Sequence, residues 1–244
     1  MDARISVIDK RLKNIKRIIS VASGKGGVGK SLVASSLALN LSKKGFKIGL
    51  LDLDLYGPSS HIILGVKDVF PKEEKGIIPP NVYGINFMSI VYFTEDKPSP
   101  FRGTDISNII IEILAITQWG ALDFLIVDMP PGIGDETLDV IRLIKKSEFL
   151  VVSTPSKVAI GAVSKLLNIL KELKIPIIGV LENMSMTGSY FIKNEIDSMD
   201  LPYLGCISFD KNLEESIGKP DKLLETDFMG DLDDFVIKKQ FLKE

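Results

Sequence analysis

Cysteine is almost absent from this chain of 244 residues, in which Cys206 is the single one. A disulfide within the chain needs two thiols, and a metal site built from cysteines needs more, so one copy of the chain supplies neither. Long apolar runs are also missing. No stretch approaches the roughly 20 apolar residues that a membrane-spanning helix requires, so no transmembrane segment is expected.

An excess of charge of either sign is missing as well, because 30 lysines and arginines face 32 aspartates and glutamates. The net charge of -2 argues against a dominant nucleic-acid surface, so nucleic acid is not an expected partner. Residues 1–16 alternate charged and aliphatic side chains and lack the apolar stretch of a signal peptide. A cytoplasmic location is therefore expected.

Internal repeats, low-complexity segments and linker-like stretches are not found either, so residues 1–244 are expected to form one domain. Isoleucine and leucine side chains recur at helical spacing near the start, which predicts a short amphipathic helix over about residues 1–16. Packing of this helix on the domain's own surface is favoured over a membrane anchor. A helical tail is expected over about residues 221–244.

The feature that organises the rest of the sequence is a glycine-rich segment at residues 24–31, Gly-Lys-Gly-Gly-Val-Gly-Lys-Ser. It matches the phosphate-loop pattern and stands between a β-rich run and a helix-forming run, as that motif requires. The glycines let backbone N–H groups point at an anion, and the N-terminus of the following helix favours the same charge. Lys30 is expected to reach the β- and γ-phosphates of ATP, and Ser31 to offer its hydroxyl to Mg²⁺.

The predicted nucleotide-binding set also includes an asparagine that follows a later strand, because an amide pairs with both a donor and an acceptor on a purine edge. The complete set is Gly24, Lys25, Gly26, Gly27, Val28, Gly29, Lys30, Ser31, Leu32 and Asn183.

Three aspartates follow predicted buried strands, at the sheet edge where open α/β folds bind ligands. Asp128 ends an apolar strand in the Walker B manner, and both it and Asp52 are expected to hold waters on Mg²⁺. Asp54 is expected to orient the water that attacks the γ-phosphate. The predicted metal set is therefore Ser31, Asp52 and Asp128, and the predicted catalytic set is Lys25, Lys30 and Asp54.

Alternation of strands and helices predicts a three-layer α/β fold of the P-loop NTPase type, with a mostly parallel sheet covered by helices on both faces. The expected strands cover residues 17–22, 46–51, 85–91, 122–127, 149–153, 175–181 and 203–207. The expected helices cover residues 32–44, 105–118, 136–146, 157–173, 210–217 and 232–242. Irregular structure is expected at residues 67–82, 95–102 and 185–200, the last of these polar and mobile.

Lys25 is a second lysine inside the phosphate loop, where an ordinary loop needs no charge. It resembles the signature lysine of the deviant Walker A ATPases, the group of MinD, ParA and the nitrogenase iron protein. The resemblance implies that Lys25 reaches the nucleotide of a partner subunit. It therefore implies a homodimer with ATP held between the two copies.

Several separated segments agree with one branch of that group, the Mrp-type nucleotide-binding proteins, which are iron–sulfur cluster carrier ATPases. They cover residues 24–31, 51–59, 119–135, 153–159, 182–184 and 201–219. Leu-Asp-Leu-Asp-Leu-Tyr-Gly-Pro-Ser and Asp-Met-Pro-Pro-Gly-Ile-Gly-Asp are the stretches most specific to this branch. The resemblance implies Mg²⁺-dependent ATP hydrolysis in the assembly of iron–sulfur clusters or metal cofactors, with a protein partner or cluster client.

One departure from the family pattern concerns the cluster itself. The cluster carriers have a Cys-x-x-Cys pair after the Glu-Asn-Met segment, whereas residues 185–191 here contain no cysteine. A cluster bridged between two subunits needs four thiolates, and two copies of this chain supply two. The resemblance therefore extends to the ATPase and leaves the iron–sulfur cluster without its usual ligands.

Two other functions remain open on the sequence. One is a positioning ATPase like ParA or MinD, acting on DNA, a membrane or a protein partner, although no basic stripe supports it. The other is a P-loop kinase for a small molecule, which leaves Lys25 without a role.

Overall fold

The structure, a computed structural model, describes residues 2–94, 104–186 and 190–242. Its strands are β1 (Ile15–Ser23), β2 (Ile48–Asp52), β3 (Lys72–Glu73), β4 (Ile77–Ile78), β5 (Asn81–Val82), β6 (Ile85–Ser89), β7 (Leu122–Asp128), β8 (Ser147–Ser153), β9 (Ile177–Ser185) and β10 (Tyr203–Ser208).

The first helices are α1 (Ala3–Leu12), α2 (Lys30–Lys43), α3 (Ser60–Ile63), α4 (Val91–Thr94), α5 (Thr104–Ile116) and α6 (Asp135–Leu143). They are followed by α7 (Lys157–Glu172), α8 (Tyr190–Ser198), α9 (Leu213–Ser216), α10 (Pro220–Leu224) and α11 (Asp227–Leu232). A π-helical turn (Asp233–Ile237) and α12 (Lys238–Gln240) complete the described chain.

Eight strands form one sheet in the order β10-β9-β8-β1-β7-β2-β6-β5. All neighbouring strands are parallel except β5 and β6, which pair antiparallel at one edge. Strands β3 and β4 form a separate antiparallel pair. The mostly parallel α/β fold expected from the sequence is confirmed.

Strand β1 lies inside the sheet and buries side chains on both faces, because successive residues of a strand point in opposite directions. Ile18 belongs to the apolar cluster on one face, and Ile19 belongs to the cluster on the other. Helices α5 and α7 supply apolar residues to the first cluster, whereas α2 and α11 supply them to the second. The result is the three-layer arrangement of a covered parallel sheet.

The two ends of the described chain pack on opposite faces. Helix α1 lies against α5 with Ile8 and Leu12 buried, and the Asp2 carboxylate accepts from the Arg4 N–H at its start. Near the C-terminus, the expected helix over 232–242 is wrong in its start and its continuity. The helical segment begins at Asp227, where the Thr226 hydroxyl accepts from the Met229 N–H, and it contains the π-helical turn.

Two further expectations near the C-terminal half are wrong. Residues 185–200 are not irregular throughout, because α8 occupies Tyr190–Ser198 and buries Ile192 and Ile196 at i, i+4 spacing. Strand β9 does not end at residue 181 but continues to Ser185, because β8 and β10 both pair with it at Glu182 and β10 pairs with it again at Ser185.

Smaller differences concern the loops. The irregular segment at 67–82 contains the short strands β3, β4 and β5, and the helix expected over 210–217 is reduced to α9. The loop expected at 95–102 lies outside the described residues. Among the described helices, none combines the length and apolar character that spanning a bilayer demands.

Candidate nucleotide site

The glycine-rich segment forms the connection between β1 and α2, at the carboxyl edge of the sheet. Gly27 and Gly29 have φ angles of 77° and 84°, in the left-handed region that side chains disfavour. Gly29 is the N-cap of α2, and Lys30 is its first residue. The segment thus delivers its backbone N–H groups to the positive end of a helix, which is the arrangement that binds phosphates.

Gly24 shows why the first position of the loop admits no side chain. A Cβ there would lie 2.5 Å from the Ala162 carbonyl carbon and 2.6 Å from the Val163 backbone nitrogen. The loop therefore rests directly on the backbone of α7. By contrast, a Cβ at Gly26 would meet no heavy atom of the described residues within 4 Å.

The Lys30 ammonium is surrounded by oxygen atoms. It is within hydrogen-bonding distance of Asp128 Oδ1 and lies 3.3 Å from Ser31 Oγ and 3.8 Å from Asp54 Oδ2. Its side chain is only 6% exposed. The lysine therefore offsets the negative charge of the carboxylates around it.

Asp52 and Asp128 are register partners on the neighbouring strands β2 and β7, and both are fully buried. The Asp52 carboxylate accepts from the backbone N–H groups of Asp54 and Ser60, each at 3.1 Å. The Ser60 hydroxyl donates to Asp128 Oδ2 at 3.3 Å. Two aspartates that the sequence predicts at strand ends therefore lie on neighbouring strands and accept hydrogen bonds from defined donors.

The proton affinity of this pair is high. Burial, reinforced by the neighbouring Asp128 carboxylate, raises the pKa of Asp52 to about 7. Burial also raises the pKa of Asp128, even though Lys30 opposes the shift. Both shifts express the cost of keeping negative charge in the protein interior, a cost that a bound cation reduces.

A cavity of about 320 Å³ opens beside these groups. Asp54 is at its wall, and its Oδ1 accepts from the Gly57 N–H at 3.1 Å. The cavity wall that contains Pro131 is held against the start of the phosphate loop, because the Gly132 N–H donates to the Ser23 carbonyl at 3.0 Å. The lining comprises Ser23, Gly26, Gly27, Gly29, Lys30, Ser31, Leu32, Asp54, Gly57, Ser59, Ile63 and Pro131.

Lys25 and Asn183 are placed differently from the other predicted residues. Lys25 is half-buried, and its ammonium makes no ion pair within the part of the chain that the structure describes. Asn183 is 2% exposed, and its Nδ2 donates to the Val28 carbonyl at 2.9 Å. Asn183 thus contacts the loop backbone, and its purine contact stays a prediction.

Sequence reasoning missed two polar residues near the site. Ser60, which donates to both members of the aspartate pair, directly follows the Tyr-Gly-Pro-Ser stretch, and that position was the available signal. Glu182 is fully buried in β9 and its Oε2 accepts from the Tyr203 hydroxyl at 3.1 Å. Burial and the Glu182 carboxylate raise the pKa of Tyr203.

Cys206 lies in β10 as the register partner of Glu182 and is partly buried. No second thiol of the same chain can lie beside Cys206, since the sequence has no other cysteine. Within residues 2–94, 104–186 and 190–242, no group of three or more histidine, cysteine or acidic residues is arranged to hold a metal ion.

Comparison with known proteins identifies the family. The model of the ParA family described as "NUBPL iron-transfer P-loop NTPase" matches residues 14–232. The chain belongs to this family.

An iron–sulfur cluster carrier protein of Aquifex aeolicus is 43% identical over 187 residues, which cover 75% of this chain and 50% of that protein. Another from Saccharolobus solfataricus is 38% identical, with 86% and 76% covered. The iron–sulfur cluster transfer protein NUBPL of Dictyostelium discoideum is 35% identical, with 88% and 72% covered. This NUBPL-family chain spans about half the length of the Aquifex relative.

Solved structures agree with the fold. A nucleotide-binding protein from Archaeoglobus fulgidus, in complex with ADP, superposes with a TM-score of 0.75 at 28% identity, covering 98% of this chain and 97% of that one. The septum site-determining protein MinD of Pyrococcus horikoshii, complexed with Mg-ADP, gives a TM-score of 0.69 at 22% identity, covering 93% and 96%. The NUBPL-family chain therefore has a nucleotide-binding P-loop NTPase fold.

Proposed function

We propose that this chain binds Mg²⁺-ATP at residues 24–31, hydrolyses it, and dimerises on ATP in the assembly of iron–sulfur clusters or metal cofactors. The observation that carries the proposal is the placement of Lys30. Its ammonium is at the N-terminus of α2, beside a cavity of about 320 Å³, and its partners are carboxylates that a metal ion can take over.

The residues present fit a Mg²⁺ ion. Magnesium binds oxygen ligands and keeps several of its waters, and the site offers a hydroxyl and two buried carboxylates in contact with neighbouring groups. Ser31 would supply its hydroxyl, and Asp52 and Asp128 would accept hydrogen bonds from the ion's waters. The ion would supply positive charge next to the phosphates.

Lys30 would change partners when nucleotide binds. In the structure its ammonium pairs with Asp128, which is fully buried. Phosphate oxygens would draw its ammonium toward the loop, where it would offset their charge together with the α2 N-terminus. Asp54 at the cavity wall would accept a hydrogen bond from the attacking water and orient it.

Lys25 would act between two copies. Its ammonium has no ion-pair partner among the described residues, although it belongs to the loop that receives the phosphates. In a two-fold dimer formed through the sheet edge, each Lys25 would contact the phosphates bound by the other copy. A cation there stabilises the charge that develops during phosphoryl transfer.

The cluster enters this proposal as cargo. The relatives are named carriers and transfer proteins, whereas two copies of this chain bring two thiolates, both Cys206. We therefore place the chain in cluster or metal-cofactor assembly without a [4Fe–4S] cluster held by its own cysteines. Its client is a protein that supplies the missing ligands.

Calorimetry of the protein with Mg²⁺-ATP tests the nucleotide assignment. Tight binding is expected for the parent chain, and Lys30→Ala should weaken it by about 100-fold or more, because a charge-assisted contact to the phosphates is lost. Release of phosphate should fall with it. An unchanged ATP affinity in Lys30→Ala, with the fold intact by circular dichroism, contradicts the assignment.

A further inference from the structure

The side chain of Asn183 crosses from the end of β9 to the phosphate loop. Its Nδ2 donates to the Val28 carbonyl at 2.9 Å in a buried environment. The contact is close enough to exclude any side chain at the next position, because a Cβ on Gly29 would lie 2.3 Å from the same Nδ2 atom. The amide and the loop therefore fit each other as a packed pair.

The backbone of Asn183 is held in place by the sheet. Strand β9 pairs with β8 on one side and β10 on the other, and Glu182 is a register partner in both pairings. Beyond Asn183, the Ser185 carbonyl accepts from the Phe209 N–H at 2.9 Å. The Asn183 backbone is thus part of the sheet, whereas the loop that it contacts is not.

The loop needs such a partner for a geometric reason. When successive N–H groups of a phosphate loop turn inward, the intervening carbonyls turn away from the site. A carbonyl that turns into the protein interior must find a donor there, since a buried unpaired carbonyl is unfavourable. Val28 is 1% exposed, and Asn183 is the donor that its carbonyl finds.

The backbone next to Asn183 is unusual in a way that supports a positional role. Met184 has a φ angle of 59°, in the left-handed region that favours glycine. Such a conformation at a non-glycine residue within a strand is retained where the surroundings require it. Here it lies directly after the residue that reaches the loop.

We propose that Asn183 is a positioning residue that braces the phosphate loop in the shape that receives phosphates. The inference rests on the proposed nucleotide site and adds a role to it. The brace uses one N–H of the amide, so it is compatible with a purine contact by the remaining polar atoms. The positioning role affects the binding of the phosphates, whereas a purine contact affects the binding of the base, so the two roles can be measured separately.

The test uses Mg²⁺-tripolyphosphate, a ligand with phosphates and no base, beside Mg²⁺-ATP. Asn183→Ala and Asn183→Leu both remove the donor without adding charge, and Leu keeps the branching at Cγ. Each should weaken tripolyphosphate binding about tenfold or more in calorimetry, because the loop carbonyl loses its partner. ATP binding should weaken at least as much.

Met184→Ala is the matched control. The Met184 Cε also approaches Gly29, at 3.5 Å from its would-be Cβ, but it makes no hydrogen bond to the loop. We expect both affinities to stay within about twofold of the parent in this variant. Thermal unfolding of each variant separates a loss of folded protein from a loss of affinity by the folded protein.

Hydrogen–deuterium exchange of the nucleotide-free protein gives a readout that needs no ligand. Asn183→Ala should speed exchange at residues 26–31 and leave the distal half of α2 unchanged. Unaltered exchange at residues 26–31 in Asn183→Ala overturns the positioning role of Asn183. A variant that loses ATP affinity but keeps its affinity for tripolyphosphate also overturns that role, and indicates that Asn183 contacts the base. If the parent protein binds neither ligand, the proposed nucleotide site is contradicted. If the parent binds ATP and the Asn183 variants bind both ligands as the parent does, only the positioning role of Asn183 is contradicted.

Discussion

At the scale of single residues, the site is built around two buried acidic side chains and a lysine. Asp52 and Asp128 are fully buried register partners, and the Lys30 ammonium pairs with Asp128. A buried pair of acids is costly unless it is partnered. Lys30 offsets the negative charge of the pair only in part, so a divalent cation would stabilise the two carboxylates further. This property is expected of a metal site that accompanies a nucleotide.

The raised pKa of Asp52 predicts a pH dependence of stability. The carboxyl keeps its proton up to about pH 7 in the folded protein but releases it near its ordinary value of 3.8 when unfolded. Between these values the folded state binds more protons, so the free energy of unfolding falls as the pH rises through this window. Asp128, whose pKa is also raised, acts in the same direction.

Urea denaturation of the nucleotide-free protein at pH 5 and at pH 7.5 measures this effect. The parent should be more stable at pH 5, and Asp52→Asn, which carries no titrating proton, should show a smaller difference between the two pH values. Asp221→Asn, at an exposed carboxylate, is a control that should keep the parent's difference. An Asp52→Asn variant with the parent's full pH dependence contradicts the assignment of this proton to Asp52.

At the scale of elements, the phosphate loop depends on α7 as much as on β1 and α2. Gly24→Ala would place a methyl group 2.5 Å from backbone atoms of α7, which cannot rotate out of the way. We expect a loss of about 2–3 kcal/mol in the free energy of unfolding, since loop or helix must shift. Gly26→Ala meets no atom and should change stability by less than about 1 kcal/mol.

Chemical denaturation of the two alanine variants gives a direct comparison within one loop. Equal stabilities would show that the loop is not seated on α7 as described. A loss confined to Gly24→Ala would support the contact.

The elements that the sequence predicts well are those with one strong periodic signal. Continuous apolar runs such as residues 122–127 indicate buried parallel strands, and the glycine pattern indicates the loop, because both signals are local. The end of β9 was not predictable in this way. Glu182 and Asn183 look like loop residues, but β9 includes them because β8 and β10 pair with Glu182 and β10 pairs again at Ser185.

Helix α8 was missed for a different reason. Its polar residues dominate the composition of the segment, and its apolar face is only a narrow stripe around Ile192 and Ile196. The carboxylates of the site were found because they follow strands. The contacts among them were not, because the register that pairs Asp52 with Asp128 is a property of the sheet and not of either segment.

At the scale of the whole molecule, the strand order explains why distant segments share one site. Strands β8, β1, β7 and β2 are consecutive in the sheet, so the loops that follow them open at a single edge. The phosphate loop, the aspartate pair and the Pro131 loop come from three of these strand ends. The residues of the proposed nucleotide site therefore lie together at one edge of the sheet.

The cysteine count makes a prediction about the cargo. Anaerobic reconstitution with iron and sulfide should leave the isolated protein without a stable, stoichiometric [4Fe–4S] cluster, because two copies bring two thiolates. Absorption spectra and iron analysis measure the outcome. A stoichiometric cluster that survives Cys206→Ser would contradict this account of the ligands, and one lost on that change would identify Cys206 with non-cysteine partners.

We propose that ATP joins two copies through the edge that carries Lys25. Asp54→Ala should bind ATP without turning it over, because the group that orients water is gone, and should therefore accumulate as the ATP dimer. Lys25→Ala should bind ATP in calorimetry but neither dimerise nor hydrolyse it.

Sedimentation velocity with Mg²⁺ and ATP measures whether this dimer forms. We expect a dimer for Asp54→Ala with ATP, a monomer for the same variant with ADP, and a monomer for Lys25→Ala and for the double variant with either nucleotide. A monomer for Asp54→Ala at saturating ATP, or a dimer that forms equally well without Lys25, would contradict it.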